Sequence, residues 1–250
     1  MSPSVLIALK ESGELLKSGR GLAWLLTLSV MLSTLALLLV SNTELSLLDN
    51  AQALYIVMGT ITALGALLAV VLGSDAIAGE RERGSLVPLL LAPLTTTNLV
   101  LGKVGGLVIA WIVTYALSLP YLWAVGASGQ NLAAAMGYLA LLGTPVVLGF
   151  GYLALALSAR FASVRGALIC ALIILVLLAS PLMLGASLRQ SAVGKAFDAV
   201  NPFAAALNTY DSVVIDSEPF SMQAVRLLVT LIWLALTFWV AKRSVETMEI

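Results

Sequence analysis

Residues 79–103 read GERERGSLVPLLLAPLTTTNLVLGK: four charges in a row, then an apolar run too short to cross a bilayer. The stretch lies between two of the most apolar segments of the chain, 51–74 and 104–125. Placing Glu80, Arg81, Glu82 and Arg83 at the centre of a membrane costs roughly 10–14 kcal/mol, at about 2.5–3.5 kcal/mol per charge. The segment must therefore surface, and the apolar stretches on either side of it are separate crossings.

Composition agrees with that reading. Of 250 residues, 60% are hydrophobic and 10% charged, with a mean hydropathy of +1.05, where soluble domains carry about 25% charged residues. Windows of about 20 residues without Asp, Glu, Lys or Arg, the length that spans a hydrocarbon core of about 30 Å, fall near 21–41, 51–74, 104–125, 132–159, 166–188 and 227–241. Both faces of each window are apolar, which excludes the alternating strands of a membrane barrel. The expected fold is all-α: a polytopic membrane protein with six transmembrane helices, forming one transmembrane domain over 1–250. Its parts are an N-terminal amphipathic interfacial helix (1–20), spans at 21–41, 51–74, 99–125, 132–159, 164–188 and 222–241, a cytoplasmic loop at 75–98, and an outer loop at 189–221 with short helices.

The first twenty residues hold Lys10, Glu11, Glu14 and Lys17 and lead into a full-length span, so they are not expected to be a cleaved signal. On a helix Lys10, Glu14 and Lys17 share one face, while Val5, Leu9, Leu15 and Leu16 gather on the other, with Leu6 and Ile7 as exceptions. That pattern suits a helix lying in the membrane surface. With the N-terminus inside, the inner side collects Lys10, Lys17, Arg20, Arg81, Arg83, Lys103, Arg160, Arg165, Lys242 and Arg243 out of thirteen basic residues. Both termini are then cytoplasmic, and the expected location is the inner or plasma membrane of a prokaryotic cell.

The chain lacks the groups that most chemistry needs. It has no His, and its single cysteine, Cys170, sits in an apolar window where a small hydrophobe is expected. None of the six windows holds Asp, Glu or His. Asp75 in "GSD" reads as an ionised residue where the second span exits, without the second aspartate of an intramembrane protease. An ion-coupled carrier keeps an ionisable residue within its spans, and Pro120, Pro145 and Pro181 read as kinks rather than as ion-binding breaks. "LGKVGG" lacks the first glycine and the hydroxyl residue of a P-loop. No catalytic, cofactor-binding or metal-binding residue is expected, no nucleic-acid partner either, and any ATP chemistry has to come from another chain.

Within the loop, Glu80 and Arg83 are placed to pair as i,i+3 neighbours. Gly84 permits a chain reversal, and Ser85 is an N-cap candidate for a short helix carrying Leu86, Leu89 and Leu90, with Pro88 in its first turn. Pro93 stops that helix after about 12 Å, too short to cross the bilayer. Thr95, Thr96, Thr97 and Asn98 offer caps for the next span, near whose start Lys103 stands at the interface. An interfacial helix resting on lipid and a knob inserted into a groove of a cytoplasmic partner both fit these residues.

At this point the segment DAIAGERERGSLVPLLLAPLTTTNLVLGK resembles ABC transporter permeases of the type-2, export-type class. The matching positions are Glu80, Arg81, Glu82, Gly84, Ser85, Leu86, Leu89, Leu90, Pro93, Leu101, Gly102 and Lys103. Residues 6–21 are similar to that family's amphipathic connecting helix. VNPFAAAL, 200–207, resembles its Asn-Pro element before the outer re-entrant region, making Asn201, Pro202 and Phe203 outer-gate candidates. The resemblance implies a half-transporter: two six-span subunits, usually identical, with two cytoplasmic ATP-binding subunits that hold ATP and Mg. The helix after Gly84-Ser85 would be the coupling helix, and the Glu-Arg-Glu cluster would join a charge network near the connecting helix. The segment 160–165, the second cytoplasmic contact, is very short, so coupling is expected to rest on the first loop. An aromatic content of 7% shows no sugar-stacking track. A membrane anchor or signalling module recruiting a cytoplasmic partner is the alternative reading, and an ion-coupled carrier the third; an outer-side partner protein is also compatible.

Gly102, Gly106 and Ala110, and more loosely Ala133, Gly137 and Leu141, recur every four residues, the spacing that lets helices approach closely. Gly149 and Gly151 near Pro145 offer a bend in the fourth span. Outside, two moderately apolar runs at 192–200 and 202–215 are split by Asn-Pro, and short helices are expected in them.

Overall fold

The computed structural model describes residues 3–17, 19–41, 50–86, 95–127, 129, 131–180 and 191–248. Its helices are α1 (Pro3–Lys17), α2 (Gly19–Ser41), α3 (Asn50–Asp75), α4 (Ala78–Glu82), α5 (Thr96–Gly126), α6 (Leu132–Tyr138), α7 (Thr144–Arg160), α8 (Val164–Ala179), α9 (Ala192–Val200), α10 (Pro202–Tyr210) and α11 (Ala224–Glu246), with no strand among the described residues. Single π turns join α6 to α7 (Leu139–Gly143) and follow α10 (Asp211–Ile215).

Five helical units are long and apolar enough to cross a membrane: Gly21–Ser41, Asn50–Glu82, Thr97–Gly126, Leu132–Arg160 and Ala224–Glu246. The protein is thus an all-α polytopic membrane protein. Helix α8 has 16 residues, about 24 Å at 1.5 Å each, and the rest of the expected fifth span falls on residues 181–190, outside the described ones. The unit α3–α4 has 33 residues, about 50 Å of helix, well beyond a core of about 30 Å. Its charged end, α4, therefore projects past the span.

The unit α6–α7 is the most enclosed span, and α2 and α11 are the least. Helix α7 lies between α3 and α11 because its small residues are notches. Gly73 of α3 fits against the backbone of Gly151 and the methyl of Ala154, while Gly149 receives the indole of Trp233. The two glycines of the fourth span therefore serve packing, and the irregularity expected near them falls earlier, at Leu139–Gly143. Proline at 145 has no amide for the carbonyl four residues back, Leu141, and crowds it; the wider π turn around Leu141 relieves that crowding.

Helix α1 packs along α5. A Cβ added to Gly102, Gly105 or Gly106 would stand 2.6 Å from Ile7 Cβ, 2.6 Å from Ala8 Cβ and 2.7 Å from Glu11 Cβ respectively. The four-residue spacing in the third span thus receives the N-terminal helix rather than another span. Ile7, off the apolar face in the sequence pattern, is the residue that fills this glycine groove. Val5, Leu6 and Leu9 remain exposed on the other side, so Leu6 is no exception to the apolar face. The corresponding repeat in the fourth span is not a packing stripe, since a Cβ at Gly137 meets nothing within 4 Å.

On the opposite side of the bundle the helix break falls at Asn201, as the Asn-Pro pair predicts. No residue of α9 is buried, whereas α10 is buried almost throughout, so α10 inserts among the spans. Its last residue, Tyr210, is fully buried and shares a hydrogen bond with Thr62 in the middle of α3 (3.2 Å).

Gly106→Val should lower the stability of the folded bundle by about 1–3 kcal/mol through overpacking against α1, seen as a reduced thermal midpoint in detergent. Gly137→Val, facing open space, should leave the midpoint unchanged. Equal losses in the two variants would contradict the glycine-groove account.

Candidate functional site

The three residues Glu80, Arg81 and Glu82 reach in three directions from one short helix. Glu80 is 4% exposed and points inward. Its carboxylate accepts from the Ser85 hydroxyl and pairs with Lys103 Nζ at 3.2 Å and Lys10 Nζ at 3.7 Å. Lys103, whose side chain is 2% exposed, also meets Glu11 Oε1 at 2.5 Å. A buried ammonium is thus held between carboxylates from α4 and α1. Burial alone would raise the Glu80 carboxyl; the Ser85 hydroxyl, Lys103 and Lys10 override it and hold the group at about 2, below its ordinary 4.5. Because the folded value is depressed, this contribution is complete above the ordinary value and is lost only as pH falls toward 2.

Arg81 donates to the carbonyls of Phe161 (2.6 Å) and Ala159 (3.4 Å), at the open C-terminal end of α7. Those carbonyls lack intrahelical donors, and a cation there also suits the helix dipole. Glu82 Oε1 accepts from the Val164 amide at 2.9 Å, the first N–H of α8, where a carboxylate suits the positive end. Ser163 caps the same helix through Gly166 N–H (3.2 Å).

The bend between α3 and α4 is fixed by Ser158 of α7. Its hydroxyl accepts from Ile77 N–H (3.0 Å) and Ala78 N–H (2.8 Å) and donates to Ser74 O (2.8 Å). The expected Glu80–Arg83 pair does not form. Arg83 turns back to Asp75 at 3.3 Å, because Gly79 lacks the Cβ that would occupy the space where those two side chains meet. Glu80 is left free to face the bundle.

Gly84 follows with φ of 71° and open space around it, the left-handed conformation that glycine adopts without strain. Ser85 stands at the position expected of a cap, but its hydroxyl and its amide both bond back to Glu80, the amide to the carbonyl at 2.9 Å. Leu86 is buried. Leu89, Leu90 and Pro93, expected to complete the short helix, lie outside the described residues. The chain re-enters at Thr95, which caps α5 by accepting from Asn98 N–H (3.2 Å).

Ser158 and Glu11 carry the site yet were not singled out from sequence. Their signals were faint: a serine one residue from the last alanine of an apolar run, and an acid next to Lys10. Asn201, Pro202 and Phe203 form a structural joint elsewhere. Asn201 is buried, its Oδ1 accepting from Phe203 N–H (2.9 Å) and its Nδ2 donating to Leu178 O (2.6 Å), which ties α10 to α8. Pro202 opens α10, and Phe203 packs edge-on to Phe150 at 6.1 Å.

Beside the hub a groove of about 1140 Å³ runs between α1, α2, α3 and α8. Lys10, Lys17, Asp75 and Arg83 stand at one end of its lining, and Leu68, Val71, Leu72 and Leu168 supply apolar wall. A family described as ABC-2 family transporter protein matches residues 5–249 of the chain. No individual curated protein matches it.

Lys103→Met removes the buried cation between Glu80 and Glu11, leaving the buried Glu80 with Ser85 and the exposed Lys10, and should cost about 3 kcal/mol, measured by denaturation in detergent. Adding Glu80→Gln should recover part of that loss, since one of the two carboxylates left behind is then neutral. Strict additivity of the two changes would show that the residues do not act as a pair.

Proposed function

We propose, for a chain that belongs to the ABC-2 transporter family and is a membrane permease component of an ABC transporter, that it forms half the translocation path of an ATP-driven exporter. The other half is a second copy or a related permease, and a separate cytoplasmic subunit binds ATP and Mg and performs the hydrolysis. In this reading the chain crosses the membrane six times, with α8 completing the fifth span, and places both termini and α4 on the cytoplasmic side.

The observation that carries the proposal is the reach of α4. Its three consecutive charged residues bond to α1 and α5, to the end of α7 and to the start of α8. A partner that grips the loop between Gly84 and Thr95 therefore moves four other helices through charge-assisted bonds rather than through a flexible tether. Nucleotide-driven closure of the partner is converted into a rigid-body shift of the helix ends. The short turn at 161–163, held by Arg81 and flanked by Glu82, is moved by the same helix, which suits its lack of a coupling element of its own.

A second copy facing α2, α3 and α8 would enclose the groove beside α1. Its charged end and apolar wall suit an amphipathic cargo. On the outer side α10 closes the bundle, and Asn201 is the joint about which it would have to swing for cargo to leave.

The direct test is co-purification with a cytoplasmic P-loop ATPase whose hydrolysis is stimulated in the reconstituted complex. Gly84→Val, or Leu89 and Leu90 replaced by Asp, should abolish that stimulation while the permease remains in the membrane. Unchanged turnover would argue against a coupling role, and partner binding without stimulation would favour an anchor or signalling module.

A further inference from the structure

A second cleft, of about 490 Å³, opens between the end of α7, the turn that follows it and the end of α11, on the far side of α7 from the groove beside α1. Two guanidinium groups, Arg81 and Arg160, and two hydroxyls, Ser244 and Thr247, line it, and no carboxylate does among the described residues. Two other charged clefts among the described residues include acidic groups: Glu11 and Asp75 in the groove, Asp198 and Glu218 near α9.

The two arginines are differently committed. Arg81 spends both Nη groups on the carbonyls of Phe161 and Ala159. Arg160 is fixed through Nε, which donates to Oγ of the buried Ser244 at 3.0 Å. Its Nη groups have no ion-pair partner among the described residues, although the side chain is anchored and sits at the C-terminal end of a membrane helix. Nearby Lys242 and Arg243 are drawn to Glu246 at 3.8 and 3.7 Å. A pre-oriented guanidinium with a hydroxyl beside it is the geometry that takes a phosphate oxygen. The setting is that of a membrane surface: Phe161 on the adjoining turn and Trp239 on α11 are exposed aromatics, the residues that populate the boundary between hydrocarbon and water.

We infer that this cleft binds the phosphate headgroup of an anionic phospholipid, with Arg160 supplying the charge and Ser244 holding it in place. Basic pockets between the ends of membrane helices take such headgroups. Arg81 connects the cleft to α4, so an occupied site would stiffen the end of α7 against which α4 is braced. The inference is independent of what the protein transports.

The test is retention of phosphatidylglycerol by the intact permease in nanodiscs of phosphatidylcholine containing a minor fraction of that lipid, counted by native mass spectrometry. The wild-type chain should retain phosphatidylglycerol preferentially. Arg160→Gln should lower that retention about fivefold, the effect of one basic residue near the surface. Arg160→Lys should recover part of it, and Arg165→Gln, an exposed position outside the cleft, should leave it unchanged. Matching elution and circular dichroism establish that each variant is folded. Equal losses at Arg160 and Arg165, or unchanged retention in Arg160→Gln, would overturn the site. Inorganic phosphate that displaces the lipid at low millimolar concentration would assign it to a soluble anion, and loss of the lipid on binding the ATPase would assign it to an acidic segment of that protein; either result refutes the lipid assignment.

Discussion

Lys103 has almost no water to turn to: its side chain is 2% exposed, and its charge is answered by Glu80 and Glu11. Those partners lie 23 and 92 residues away in sequence, so the ammonium can be buried only where α1, α4 and α5 meet. An unpaired buried charge is expensive enough to forbid most alternative arrangements, which makes the pair a device for register more than a source of stability. The glycine groove on α5 serves the same junction from the apolar side. With Ile7, Ala8 and Glu11 seated on Gly102, Gly105 and Gly106, Glu11 arrives within reach of Lys103.

The remaining contacts at this end of the bundle follow from fixing α4. Once Glu80 faces inward, the next two side chains must point elsewhere, and each meets a helix terminus of complementary polarity. Arg81 finds the carbonyl end of α7, and Glu82 finds the amide end of α8. The bend that aims α4 is itself held by one hydroxyl, Ser158, which satisfies two amides and one carbonyl at the break. Four other helices, α1, α5, α7 and α8, are thereby referred to a segment of five residues.

Much of this was legible in sequence because charge in an apolar chain is conspicuous. The cost of four consecutive charges placed the loop outside the hydrocarbon, Gly84 marked the turn, Thr95 to Asn98 offered caps for the next helix, and Asn201-Pro202 marked the break between α9 and α10. The partners of the charges were not legible, because an i,i+3 rule knows only the local helix: it paired Glu80 with Arg83, whereas the absent side chain of Gly79 lets Arg83 reach Asp75. Small-residue spacing had the same limit. It identified four-residue repeats permitting close approach on the third and fourth spans alike, but the one at Gly102 and Gly106 has a helix seated on it whereas Gly137 of the other faces open space. Ser158 carried only a faint signal, since a hydroxyl in an apolar run looks the same whether it is idle or closes a helix break.

The docking of α1 on α5 has a consequence for how the protein is made. Residues 3–17 are synthesised first, yet the surface that receives them, around residues 102–106, emerges about ninety residues later, after two membrane segments have been inserted. Until then the first helix has only the bilayer surface to hold it. Val5, Leu6 and Leu9, still exposed in the finished bundle, are the apolar side chains it can offer to that surface. The amphipathic pattern of α1 thus suits two surroundings in turn: a bilayer surface while α5 is still to come, and the glycine-lined seat once it is there.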